Sequence, residues 1–193
     1  MSHYTLVTGG AGYIGSHTTL ALLQAGFNVV VLDNLCNGYI QSLRHVGQLA
    51  GRAPVFIEGD IRDRVLLDQL FAKYPIQSVL HLAGLKSVGE SVTQPLQYYV
   101  NNVGGTITLC RAMAAAGVFK LVFSSSATVY GDPITVPITE DQPVGNTTSP
   151  YGSSKFMVER LLADLAASEP RWGVAILRYF NPCLLYTSDA ADE

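Results

Sequence analysis

Hydrophobic positions gather into six short runs separated by segments of helical length. The runs Thr5–Val7, Val29–Leu32, Val55–Ile57, Ser78–Leu82, Lys120–Ser124 and Val174–Tyr179 are nearly continuous in apolar character. This is the pattern of strands covered on both faces, as in parallel sheets. Between them the spacing turns helical: Ile14, Leu20, Leu22 and Leu23 lie within Gly12–Ala25, and a second periodic stretch runs Met157–Ala167. Pro95–Gly117 reads as one long helix, although Gly104 and Gly105 within it should each cost about 1 kcal/mol relative to alanine. Close packing towards the binding side is what those glycines would allow. Regular alternation of strand and helix predicts an α/β fold, a doubly wound, Rossmann-type parallel sheet with right-handed crossovers and helices on both faces. Ligands of such sheets bind outside the carboxyl ends of the strands. Asp33, Asp60, Ala83–Gly84, Ser124–Ser126 and Tyr179–Asn181 all stand there.

The first of these strand ends carries Thr8–Gly15, which fits two glycine spacings at once: Gly9/Gly12/Gly15 and Gly10/Gly12/Gly15. In a strand–turn–helix unit, one glycine makes the tight turn, one lets the backbone approach a pyrophosphate, and one packs helix against strand. The helix N-terminus then offers N–H groups to the phosphates. Asp33 follows eighteen residues after Gly15, at the end of the second strand, where such units place an acid on the adenosine ribose. A carboxylate there accepts from the ribose hydroxyls and repels a 2′-phosphate. Asn34 follows where an arginine could have admitted NADP, so the expected cofactor is NAD. The plainer alternative is an ordinary glycine turn with a solvated Asp33.

Composition narrows the partners. The chain has 193 residues, 48% hydrophobic and 14% charged, with a net charge of -3, a globular balance without the basic footprint of nucleic-acid binding. No apolar run is long enough to span a bilayer, and no leader pattern opens the chain. Cys36, Cys110 and Cys183 form neither a metal spacing nor an even disulfide framework, which fits a reducing, cytoplasmic setting. No metal is expected.

The chemistry is expected at Tyr151-Gly152-Ser153-Ser154-Lys155. Residues four apart share a helix face, so the phenol and the ammonium can address one place. A phenol is a poor base at pH 7, but a nearby cation favours the phenolate, and oxidised nicotinamide adds a second positive charge. Tyr151 is then the general base, with Ser126 holding the substrate hydroxyl it deprotonates. An exposed, unrelated Tyr–Lys pair is the alternative. Lys86 is equally explained by an i, i+4 ion pair with Glu90, and His81 by packing at a strand end.

As a set, the glycine loop, Ser124–Gly131, Ser149–Lys155 and Arg178–Pro182 resemble the extended short-chain dehydrogenase/reductase family. Leu32–Asn37, Glu58–Arg62 and Ala83–Ser91 resemble its UDP-hexose 4-epimerases more narrowly. The resemblance runs from Tyr4 to Pro182. It implies that Gly9, Gly12 and Gly15, with the Tyr13 and Ile14 backbone, hold the pyrophosphate of NAD. Asp33, Asn34 and Asn37 would surround the adenosine ribose, and Asp60 and Ile61 the adenine. Leu82, Ala83, Gly84, Lys86, Asn101 and Ser124 would line the middle of the cofactor. Tyr151 and Lys155 would reach the nicotinamide ribose, Tyr179 and Phe180 would flank the nicotinamide, and Asn181 would meet the substrate phosphates. The implied catalytic set is Tyr151, Lys155 and Ser126. The implied activity is isomerisation of a UDP-hexose through a 4-keto sugar, in galactose metabolism, by a homodimer joined through about Pro95–Ala116 and Ser153–Ala167.

Some positions depart from the pattern. Val100 and Gly104 stand where polar residues are usual. Nucleotide-sugar dehydratases and decarboxylases of similar sequence carry an acid where Thr128 stands, and dehydratases an aspartate at Ala127; both acids are missing here. A non-catalytic NAD-binding regulator would have lost Tyr151 or Lys155, and both are present. Cys183–Glu193 does not continue the family pattern. The expected organisation is therefore an NAD-binding domain over residues 1–182, an unrelated tail over 183–193, no substrate domain, and no turnover by the 193 residues alone.

Overall fold

The computed structural model describes residues 3–181 of the chain; the expectations about the 183–193 tail fall outside them. Six strands, β1 (Tyr4–Thr8), β2 (Asn28–Asp33), β3 (Val55–Glu58), β4 (Ile76–His81), β5 (Lys120–Ser126) and β6 (Gly173–Tyr179), alternate with helices. All neighbours pair in parallel, in the order β3-β2-β1-β4-β5-β6. The doubly wound sheet read from the alternation is the one observed. Its strand order reverses between β1 and β4, where open α/β sheets bind ligands.

The six apolar runs are unbroken because each face of the sheet has its own core. On β2, Val29 and Val31 pack with Val7, Leu23, Leu43 and Val46 beneath α1 (Tyr13–Gln24) and α2 (Ile40–Ala50). Val30 and Leu32 face the opposite way. They join Leu6, Leu67, Val79, Leu109, Phe123 and Leu162 under α3 (Arg64–Lys73), α6 (Gly105–Ala115) and α7 (Pro150–Ser168). Four strands run one or two residues past their apolar stretch. Thr8, Asp33, Glu58 and Ser125–Ser126 still pair in the ladder, so of the residues expected after the strands Asp33, Ser124–Ser126 and Tyr179 belong to the last pleats, while Asp60, Ala83–Gly84 and Phe180–Asn181 lie beyond them.

Side chains start two of the longer helices. Asp63 accepts from the Leu66 N–H at 3.0 Å, and Ser149 from the Gly152 N–H at 3.1 Å with Pro150 following it; such a cap contributes about 1 kcal/mol. Helix α1 starts on Gly12, which has no side chain to cap it.

The stretch expected as one helix over Pro95–Gly117 is helical but not uniform. After the short α4 (Val88–Thr93) come α5 (Pro95–Tyr98), a π-helical turn (Tyr99–Gly104) and α6. Of the paired glycines, Gly105 is the one that packs closely, since a Cβ there would lie 2.6 Å from Ile61 Cδ1. Beside Gly104 the nearest atom is 3.9 Å away. A wider turn also places Asn102 inside rather than on the surface, at 3% exposure. Among the described residues no helix is long and apolar enough to cross a membrane.

Candidate active site

Strand ends, the glycine turn and the starts of α1 and α7 enclose one cleft of about 510 Å³. Gly9 has φ +72°, and a Cβ there would collide with the Ala83 backbone at 2.6 Å, so the turn can lie against the end of β4 only as glycine. Gly10 plays no part in the cleft: its Cβ would strike Val31 Cγ1 at 2.6 Å on the core side. The working triplet is therefore Gly9/Gly12/Gly15. Gly15 lies directly on the Gly9 carbonyl, and Gly12 is open, with nothing nearer than Gly9 O at 3.5 Å. The uncapped first turn of α1, Tyr13, Ile14 and Gly15, lines the cleft. It makes the electropositive start that binds anions.

Asp33 is 8% exposed and serves the turn as well as the cleft. Its Oδ2 accepts from the Ala11 N–H at 2.9 Å and its Oδ1 from the Leu35 N–H at 2.8 Å. Leu35 sits at φ +58°, so this carboxylate holds a strained connection in place. Asp60 binds the Arg62 side chain in a two-point pair at 2.9 and 2.7 Å, and also accepts from Asn34 Nδ2 at 3.0 Å. The Arg62 guanidinium is the main reason the Asp60 carboxyl is pulled down to about 2, and Asn34 adds to it. Asn34, Asn37, Asp60 and Ile61 form that end of the cleft.

Leu82, Ala83, Gly84 and Lys86, just past β4, form the middle, with Asn101 and Ser124 beside them. The ion pair considered for Lys86 does not form among the described residues. Glu90 instead accepts from the Tyr98 hydroxyl at 2.7 Å, and Tyr98 in turn accepts from the Ser87 N–H. Asn102 keeps the 82–86 loop in place. Its Oδ1 accepts from Leu85 N–H at 2.8 Å, while Nδ2 donates to Leu85 O and to Ser154 Oγ, both at 3.0 Å. His81 is a packing residue, as expected. Thr106 gives its hydroxyl hydrogen to Asn102 O, so His81 Nε2 donates to Thr106 at 2.8 Å and Nδ1 accepts from Thr8 at 2.7 Å. Burial, helped by the charge of Lys155, holds its pKa down at about 3.

Tyr151 and Lys155 are both buried, at 9% and 5% exposure, on the first turns of α7. They are not an exposed pair. Lys155 Nζ donates to the Ser124 carbonyl at 2.9 Å and lies 5.9 Å from the centre of the Tyr151 ring. Burial lowers the lysine to about 8. Lys155 does not lower the phenol as expected: burial raises Tyr151 above its ordinary value, and the opposing influence comes from Ser126 rather than from the ammonium. Tyr151 is fixed edge-to-face against Tyr98, with ring centres 6.4 Å apart. Tyr179, Phe180 and Asn181 close this end from β6.

Every cofactor, substrate and catalytic residue that the family resemblance implies within 3–181 lines this one cleft; Gly10 and His81 do not. Leu32, Cys36, Gly38, Gly59, Val88 and Thr128, given no place in the site from the sequence, line it too. It also missed the supports behind it: Asn102, and Glu159 with Arg178, whose guanidinium meets the carboxylate at 2.9 Å. One sequence signal pointed at Asn102, the Asn101–Asn102 pair beside a double glycine inside a helix.

Together, the reversal point of a parallel sheet, an uncapped glycine turn and a buried Tyr151–Lys155 pair in the same cleft define the class of nucleotide-binding α/β proteins. The chain belongs to the NAD dependent epimerase/dehydratase family, whose model matches residues 5–191. It is 61% identical over 188 residues to the UDP-glucose 4-epimerase of Haemophilus influenzae and 59% to that of Neisseria meningitidis serogroup A. Each match takes in 97% of this chain and 56% of the relative, so the chain spans little more than half their length. Among solved structures, a UDP-glucose-4-epimerase from Stenotrophomonas maltophila with bound NAD and formylated UDP-arabinopyranose superimposes at TM-score 0.89 and 50% identity. It covers 92% of this chain and 53% of that one. The Bifidobacterium longum enzyme with NAD+ and UDP gives TM-score 0.91 at 47% identity, over 92% and 53%.

Proposed function

We propose that residues 1–182 are the NAD-binding, catalytic part of a UDP-glucose 4-epimerase, which interconverts UDP-glucose and UDP-galactose through a 4-keto sugar in galactose metabolism. The observation that carries this is the cleft itself, with the open Gly12 and Asp33 at one end and the buried Tyr151 and Lys155 with the half-buried Ser126 at the other.

The residues fit NAD. A Cβ at Gly12 would fill the open cradle above the turn. Gly9, Gly12 and Gly15, with the Tyr13 and Ile14 N–H groups, would hold the pyrophosphate. Asp33, Asn34 and Asn37 would hold the adenosine ribose, and Asp60 and Ile61 the adenine. Leu82, Ala83, Gly84, Lys86, Asn101 and Ser124 follow the cofactor to its other ribose, at Tyr151 and Lys155, with Phe180 and Tyr179 beside the nicotinamide and Asn181 at the substrate phosphates. Bound there, NAD supplies the reversible hydride acceptor for the sugar C4 and a positive charge that favours the phenolate.

Tyr151 Oη takes the proton of the sugar 4-hydroxyl and later returns it, and Ser126 orients that hydroxyl. Lys155, anchored on the Ser124 carbonyl, keeps the positive charge beside the phenol. Expulsion of water from the sugar is disfavoured, because Ala127 and Thr128 place no carboxyl at the cleft. The direct test grafts residues 4–181 of this chain onto the remainder of the Haemophilus enzyme and measures UDP-galactose conversion. A folded graft without turnover would refute the assignment.

Asp33→Ala should lower the melting temperature, because two backbone N–H groups lose their acceptor at about 1–3 kcal/mol each. It should also weaken NAD by more than tenfold and narrow the preference over NADP, since the charge that repels a 2′-phosphate is gone. Titration with both cofactors checks this. An unchanged ratio would remove Asp33 from the ribose.

The protein is further proposed to be a cytoplasmic homodimer. Cys36 and Cys110 are free thiols, suited to a reducing compartment. Leu96, Val100 and Ile107 on the α5–α6 stretch and Met157 on α7 are 77%, 56%, 39% and 47% exposed, an apolar face of the kind that marks interfaces. Light scattering should give twice the chain mass, and Val100→Glu should give the chain mass.

A further inference from the structure

We propose that Phe123 is a positioning residue for Lys155: the face of its ring holds the ammonium beside the Ser124 carbonyl and favours its charged form. The proposal deepens the reading of Lys155 as a catalytic group and rests on it. Lys155 Nζ lies over the Phe123 ring, 5.0 Å from its centre, nearer than the 5.9 Å that separates it from the centre of Tyr151. A cation within about 6 Å of an aromatic centre is drawn to the negative face of the ring, and more strongly where water is excluded. Water is excluded here, since both side chains are buried.

The fold leads to this contact. Phe123 is the last apolar residue of β5 before Ser124–Ser126, and it joins Leu121 in the core beneath α7. Lys155 starts from the first turns of α7 and reaches the Ser124 carbonyl at 2.9 Å with its ammonium over that ring. An ammonium has three hydrogens to give, and among the described residues that carbonyl is the one acceptor it meets. Burial pulls the amine down to about 8, so its charge needs a further partner that can itself stay in the core. An aromatic face is such a partner; an aliphatic side chain is not. Gly84 leaves another side of the ammonium open to the cleft, where a Cβ would lie 3.5 Å from Nζ.

The ring serves a single cation. His81 stands beside Phe123 in the ladder, with ring centres 5.7 Å apart, but burial keeps the imidazole neutral at pH 7. The other groups to weigh around Lys155 are Tyr151 and Glu159 on α7, the latter paired with Arg178 of β6, Tyr179 of β6, and Lys86 after β4. A change in the electron density of ring 123 replaces none of them. Without the ring, a midpoint one unit lower would leave Lys155 about half deprotonated at pH 7. The positive charge beside the phenol would be missing in that half.

The test needs no turnover. The 193-residue chain is made with lysine carrying carbon-13 at Cε and titrated by NMR, and the Lys155 signal is assigned by its loss in Lys155→Met. Phenylalanine bearing one, two or three ring fluorines is then placed at position 123, which drains the ring face while scarcely changing its size. In chains that melt cooperatively, the Lys155 midpoint should fall stepwise with each fluorine, to about one pH unit below wild type at three. Phe123→Leu removes the face altogether and should lower the midpoint at least as far. The same fluorine series at Phe119, which packs on Trp172, should leave it unmoved. A midpoint that stays put through the series at position 123 would overturn the proposal even if Phe123→Leu shifts it, because leucine also leaves a cavity. An equal fall from the Phe119 series would overturn it too. UDP-galactose conversion by the graft is a separate readout. Its failure with the graded fall intact would remove the epimerase assignment and leave the contact of ring and ammonium standing, whereas conversion with a flat series would overturn the contact alone.

Discussion

Replacing Tyr151 with phenylalanine is expected to cut kcat for UDP-galactose conversion by a factor of about 10²–10⁴, the usual contribution of a positioned general base, while NAD affinity stays within a few-fold. The ring itself is structural: it is 9% exposed and packs edge-to-face on Tyr98, and phenylalanine keeps those contacts. What goes is one oxygen, in the cleft that Ser126 and Lys155 also line. Since burial already raises the phenol, the wild-type rate should rise with pH until the phenolate is populated, and the residual rate of the variant should lose that rise. Kinetics of the grafted enzyme across pH check both points. A variant retaining more than half the activity would show that Tyr151 does not move the proton.

The strands were legible because each is covered on both sides, so apolar character alone marks them. The cleft was legible because its residues stand where those strands stop. Glycines could be counted but not sorted from the sequence: Gly9, Gly10, Gly12 and Gly15 look alike in a row, and only the packing shows Gly10 against Val31 and Gly12 facing open space. The paired glycines at 104–105 gave a cost but no shape, since a π-helical turn adds a residue per turn without changing composition. That extra residue carries Asn102 inward to Leu85 and Ser154. The phenol's shift runs opposite to the expected sign for a physical reason. Four residues along a helix place a lysine on the right face, but not whether its ammonium turns to the phenol or, as here, to the Ser124 carbonyl.

Glu159→Leu is expected to destabilise the fold by about 3 kcal/mol, towards the lower end of what stranding one partner of a buried ion pair costs. The carboxylate is 6% exposed and accepts from Arg178 at 2.9 and 3.1 Å and from the Ser125 hydroxyl. These bonds tie the ends of β5 and β6 to α7, one turn beyond Lys155. Without Glu159, Arg178 keeps only the Tyr130 hydroxyl at 2.9 Å and the Glu140 carbonyl at 3.3 Å. Its side chain, 22% exposed, recovers part of its hydration, which is why the lower end applies. Removing both charges together, Glu159→Leu with Arg178→Met, should return most of the loss, because no unpaired charge is then left inside. Denaturant unfolding of the single and double variants measures this. A single variant costing under about 1 kcal/mol would show the pair to be incidental. The damage should also reach the chemistry. Ser125 stands between Ser124, whose carbonyl anchors Lys155, and Ser126, while Arg178 precedes Tyr179 at the mouth of the cleft. In the grafted enzyme the single variant should therefore lose kcat as well as stability, and the double variant should regain stability more fully than rate, since two apolar side chains fill the space without fixing the direction of the Ser125 hydroxyl.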